Sequence, residues 1–97
     1  RLPYLYLRSD SRKAASRILD EVYADRVAWI RTEEAVGKGL FGPGFPHPDL
    51  MNRLGDLILI PRLGTRILDA PRGRNFVSEH AGLSDHEMLV PFMYRYI

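Results

Sequence analysis

The residues best suited to chemistry lie together in one short run, Glu79-His80-Ala81-Gly82-Leu83-Ser84-Asp85-His86-Glu87-Met88-Leu89-Val90-Pro91. An imidazole ligates a divalent metal well when its loop is held rigid, and this run has the parts to hold one. Ser84-Asp85-His86-Glu87 fits the capping-box template, in which Ser84 caps a helical turn and Glu87 reaches back to the Ser84 backbone N–H. Leu83 and Met88 flank that turn as a hydrophobic staple, and Pro91 ends it. The small residues Ala81 and Gly82 leave room for a metal ion or a phosphate to approach the backbone. With no cysteine in the chain, His and carboxylate groups would have to hold any metal, which suits Zn²⁺, Mn²⁺ or Mg²⁺.

On spacing alone His80 reads as a surface or hydrogen-bonded loop histidine sooner than as a ligand. The three histidines show no HxH or HxxxH spacing. His86 is expected to face solvent from the capped turn, and His47, between Pro46 and Pro48, to be a loop or cap residue. Arg72 and Arg74 flank a glycine ahead of His80; they would contact a substrate phosphate if that loop faces the metal, and otherwise form a solvated basic turn. Gly39-Leu40-Phe41-Gly42-Pro43-Gly44 lacks the Lys and Ser/Thr of a P-loop and reads as a surface connection or access flap. Phe41 and Phe45 within it could stack on a base or an aromatic leaving group, or anchor the loop to the core. Asp56, at a strand start, is assigned a hydrogen-bonding or turn role.

The elements that must position these residues follow from periodicity. Tyr4 to Leu7 reads as a strand. Residues 11–25 read as a helix, with Ala14, Ile18 and Val22 beside Ala15, Leu19 and Tyr23 in one broad apolar stripe. Arg12 and Lys13 sit in its first turn, against the helix dipole. Val27-Ala28-Trp29-Ile30 gives a second strand. A short helix capped by Thr32 follows, with Glu33 and Glu34 at its positive end and Gly37 and Gly39 ending it. Gly39 to Pro48 is a loop, and Pro48 opens another short helix that Gly55 stops. Asp56 to Arg62 is the strongest strand, with a turn at Leu63-Gly64 and a return strand near Thr65 to Leu68, a β-hairpin. The order is βαβααββ, then a loop and a short helix, which indicates an α/β or α+β layered fold.

Composition bounds the function. The 97 residues allow one domain at most, and 45% hydrophobic with 27% charged residues suits a folded protein. No apolar run approaches the length of a bilayer span. Fourteen basic and twelve acidic residues leave a net charge of +2 and a pI near 9.2, too little for charge-dominated nucleic-acid binding. The early Arg8, Arg12, Lys13 and Arg17 are interleaved with Asp10, Asp20 and Glu21, which argues the same way.

The closing run resembles that of the alkaline phosphatase superfamily, in its type I phosphodiesterase and nucleotide pyrophosphatase branch. Members often close their catalytic domain with His-Gly-Gly-Leu-Ser running on to Glu-Met and Val-Pro. Here it stands as His80-Ala81-Gly82-Leu83-Ser84, Glu87-Met88 and Val90-Pro91, with Ala81 in place of the first glycine. Gly39-Leu40-Phe41-Gly42, His47-Pro48, Arg53-Leu54-Gly55-Asp56-Leu57 and the opening Tyr4-Leu5-Tyr6-Leu7 are also similar to the segment before that motif. The resemblance implies a site of two metal ions, commonly zinc, flanking a Thr or Ser nucleophile, with His80 as the last His ligand of the first ion. It also implies in-line attack on the phosphorus of a phosphodiester or nucleotide pyrophosphate. Residues 1–70 would then be a small cap-like subdomain, and residues 71–97 the motif segment completing a catalytic core.

Neither the nucleophile nor the other ligands of that family has a counterpart in these residues. The expectation is therefore a C-terminal fragment, inactive alone, whose partner is an N-terminal catalytic half. Localisation stays open, with the cytoplasm favoured by the lack of a signal pattern and of cysteine, because any signal would lie upstream. The competing expectation is a non-catalytic α/β interaction module, supported by the small size, the lone His80 and the aromatic tail Phe92-Met93-Tyr94-Arg95-Tyr96.

Overall fold

The computed structural model describes residues 2–68 and 82–96. Its elements in chain order are β1 (Tyr4–Leu5), α1 (Arg12–Val22), β2 (Val27–Arg31), α2 (Thr32–Gly37), α3 (Leu50–Leu54), β3 (Leu57–Pro61) and α4 (Asp85–Met88). The three strands form one open sheet in the order β1-β3-β2, and both pairings are antiparallel. β1 and β2 therefore run parallel to each other, joined by α1, with β3 inserted between them as in a split βαβ unit. Helices combined with an antiparallel sheet make this an α+β fold.

β3 is central because its sequence can be buried on both faces. Leu57, Ile58 and Leu59 are all buried, Ile58 completely. Alternation sends Leu57 and Leu59 to one face, where they cluster with Leu19 of α1 and Val27 of β2, and Leu5, Leu7, Trp29 and Ile67 close around them. Removing a side chain such as Ile58 from water stabilises the fold by roughly 1.5–3 kcal/mol. The β2–β3 ladder pairs Val27 with Pro61 through Arg31 with Leu57, and Arg62 N–H to Arg26 O and Thr32 N–H to Asp56 O extend it at either end. Trp29 Nε1–H donates to Asp20 at 2.8 Å, tying β2 to α1.

Several expectations need correction. The turn at Leu63-Gly64 exists, with Thr65 N–H bonded to Arg62 O and Gly64 at φ 81°, but Thr65 to Leu68 form no strand. β2 takes one edge of β3 along its length and β1 the other from Leu57 to Leu59, while Pro61 has no N–H to donate, so little ladder is left for a hairpin partner. The first strand pairs only over Tyr4 and Leu5, because the Leu7 N–H turns to the Asp56 carboxylate instead of a ladder carbonyl. α1 ends at Val22, where the chain must reverse into β2 through Ala24-Asp25-Arg26. Its buried stripe is narrower than expected: Leu19 is buried, while Ile18, Val22 and Tyr23 are exposed.

Thr32 is the first residue of α2, with Arg31 as the N-cap. Buried between elements, its hydroxyl donates to Leu54 O, satisfying the only buried polar side chain among the described residues. Pro48 precedes α3 instead of opening it, since Asp49 is the N-cap. α3 does stop at Gly55 as expected. That glycine has φ 65°, and a Cβ there would stand 2.6 Å from Leu5 O. No other residue type fits both conditions.

Candidate functional site

The segment that follows His80 folds as its sequence predicts. α4 starts after Ser84, and the capping box forms. One Glu87 carboxylate oxygen accepts the Ser84 backbone N–H at 3.2 Å and the Ser84 hydroxyl at 2.5 Å. The Glu87, Met88 and Leu89 amides then donate to Ser84 O, Ser84 O and Asp85 O, closing the turn. Asp85 and Glu87 lie in the first turn, where the helix dipole favours negative charge.

Gly82 belongs to this lock for a reason the sequence did not suggest. It is buried, and the position its Cβ would occupy is filled by the Glu87 carboxylate. The missing side chain at position 82 makes room for Glu87; an approaching metal or phosphate would find that space occupied. Met88 is exposed, so it does not act as a buried staple residue.

Among the site residues expected from sequence, His80, Arg72 and Arg74 lie outside the described residues, as do Ala81 and the loop from Pro71 to Asn75. Phe41 is on the loop after α2, partly exposed, with Phe45 fully exposed beyond it. Neither lines the cleft described below. His86 faces solvent. His47 is a turn residue: its Nδ1 accepts the Asp49 N–H at 3.1 Å and its carbonyl accepts the Leu50 N–H. Among the described residues no three His, Cys, Asp or Glu side chains are grouped so that they could hold a metal. These residues alone do not fit the two-metal site that the family resemblance implies.

A second arrangement went unread in the sequence. A cleft of about 680 Å³ opens between the start of α1, the end of β2 and the α3–β3 junction, lined by Arg12, Lys13, Arg31, Asn52 and Asp56 among others. The signal was present in Arg12 and Lys13, which oppose the dipole of their helix. Asp56 explains Arg12: it accepts the guanidinium with one oxygen and the Leu7 N–H with the other, at 2.8 Å. Its assignment as a hydrogen-bonding residue holds. Away from the cleft wall, the Glu34 carboxyl is held below its ordinary pKa, first by the hydrogen bond from Lys38 and then by the charges of Lys38 and Arg31.

No helix among the described residues is long and apolar enough to cross a membrane. Comparison with protein-family models, curated proteins and solved structures gives no match for this chain.

Proposed function

We propose that this chain is the C-terminal part of a metal-dependent phosphoric-ester hydrolase of the alkaline phosphatase superfamily, in the type I phosphodiesterase and nucleotide pyrophosphatase branch. His80 supplies one ligand, and the sheet with α1 to α3 forms a cap. The observation that carries this reading is the lock immediately after His80-Ala81, in which the Glu87 carboxylate lies over Gly82 and binds Ser84 twice. A ligand loop with a fixed exit loses less entropy when it closes on a metal. The substrate class, phosphodiesters or nucleotide pyrophosphates, and zinc as the metal rest on the resemblance of the closing motif. An N-terminal catalytic half supplies the nucleophile and the remaining ligands.

The test uses the intact protein with its N-terminal half. His80→Ala should lower bound zinc and the hydrolysis of bis(p-nitrophenyl) phosphate together, the latter by about 100-fold or more. Full activity with full metal content would sink the assignment.

One observation favours the second reading, a non-catalytic interaction module. Phe92, Tyr94 and Tyr96 are exposed and form a row, with ring centroids 5.9 and 5.6 Å apart along the extended tail. Such a row suits a partner surface. A module of this kind gains no thermal stability from added zinc, whereas a hydrolase carrying its ligands does.

A further inference from the structure

We infer that the cleft at the start of α1 binds an organic phosphate of nucleoside monophosphate size. The inference stands on the cleft and does not need His80 to bind a metal.

Charge comes first. Arg12, Lys13 and Arg31 meet at this cleft from two separate elements; Glu33 and Asp56 line it with them, and Glu34 lies outside the lining but within electrostatic reach of Arg31. Asp56 is already engaged by Arg12 and by the Leu7 N–H. Lys13 and Arg31 make no ion pair among the described residues. The lining is therefore net positive, and two of its cations retain their full hydrogen-bonding capacity for a ligand.

Pre-organisation comes second. The Arg12 guanidinium is anchored through one nitrogen by Asp56 while its other N–H donors remain available, so its charge is held at the cleft before a ligand arrives. Asp56 is itself fixed at the β3 entrance by its bond to the β1 exit. Two basic residues with no acidic one in the first turn of α1 is a locally unfavourable choice. Local choices that conflict with stability are expected where a ligand supplies the missing charge.

Size and surface come third. At about 680 Å³ the cleft falls within the range of small-molecule sites and is far larger than an inorganic phosphate requires. Tyr6 and Met51 offer apolar surface beside the cations, and Asn52, whose amide nitrogen already donates to Asp49 at 3.3 Å, keeps its carbonyl oxygen and second N–H for a ligand. An anionic head with a planar, partly polar body matches those three parts.

The experiment titrates AMP, adenosine and inorganic phosphate into the isotope-labelled 97-residue chain in EDTA, following amide shifts. AMP should perturb residues around Lys13, Arg31 and Asn52, and bind at least tenfold more tightly than either adenosine or phosphate. Added salt should weaken it. Lys13→Gln combined with Arg31→Gln should reduce AMP affinity tenfold or more while thermal unfolding is unchanged, and His80→Ala should leave it intact. Equal binding of adenosine and AMP, absence of AMP binding at millimolar concentration, or shifts confined to the Arg72–His80 stretch would overturn the inference. The last result would leave the hydrolase reading standing.

Discussion

Arg12 and Asp56, 44 residues apart, bridge the start of α1 to the entrance of β3, and the same carboxylate takes the Leu7 N–H as β1 ends. One side chain thus fixes the mutual positions of three elements. The Arg12 side chain is 63% exposed and the Asp56 side chain 24%, so the two partners are not equivalent. Asp56→Ala strands a part-buried backbone N–H and should cost about 1–2 kcal/mol. Arg12→Gln removes a partly screened ion pair and should cost about 0.5 kcal/mol. Urea unfolding midpoints check the order; a larger loss from Arg12→Gln would mean that the charge pair outweighs the backbone bond.

Two glycines are required for different reasons, and alanine separates them. At Gly55 an added Cβ meets backbone, Leu5 O, from a positive φ, and nothing near it can move cheaply. Gly55→Ala should lower global stability by about 2 kcal/mol or more. At Gly82 the added Cβ meets the end of a flexible side chain, the Glu87 carboxylate. Gly82→Ala should leave the unfolding midpoint unchanged but expel Glu87 from the capping box. Amide exchange at Ser84 and Glu87 should accelerate, as it should in Glu87→Ala. Unchanged exchange in Gly82→Ala would show that the box survives without the space Gly82 provides.

Glu34 gives a pH signature. Its folded-state pKa lies below the ordinary carboxylate value because Lys38 donates to it and adds positive charge. A depressed pKa means that the pair stabilises the fold above the unfolded-state Glu pKa, and that this contribution is lost as pH falls through the folded one. Lys38→Ala should return the Glu34 titration, followed by carboxyl carbon shifts, to the ordinary range. The small stability difference between the two proteins should be present near neutral pH and vanish in acid. A difference that persists at low pH would assign it to the C-cap position of α2 itself and not to the charge pair.

What the sequence conveyed was local. The α1 helix, the Thr32–Gly37 helix with its acidic first turn, the Gly55 stop and the Ser84–Glu87 box all depend on residues a few positions apart, and all form. What it did not convey depends on partners distant in the chain. Leu63-Gly64 reads as a hairpin turn because nothing nearby reveals that β2 occupies one edge of β3 and β1 much of the other. The cleft has no motif in the sequence for the same reason. Arg12 comes from α1, Arg31 from β2 and Asp56 from the α3–β3 junction, and the only local trace of their meeting is a pair of cations at the wrong end of a helix.

The placement of β3 also shapes how the chain can be made. Both flanking strands leave the ribosome before the strand they pair with. Until Leu57 to Pro61 have emerged, β1 and β2 have no neighbour to hydrogen-bond, and Leu19 and Val27 lack the Leu57 and Leu59 surface that buries them. Helices α1 and α2 can flicker into being early, but the sheet cannot grow residue by residue behind the translating ribosome. Assembly is held back until one late segment threads between two waiting strands, a non-local step that slows folding and exposes apolar edges meanwhile. A stall or truncation just before Leu57 should therefore yield a nascent chain that chaperones hold and proteases clear.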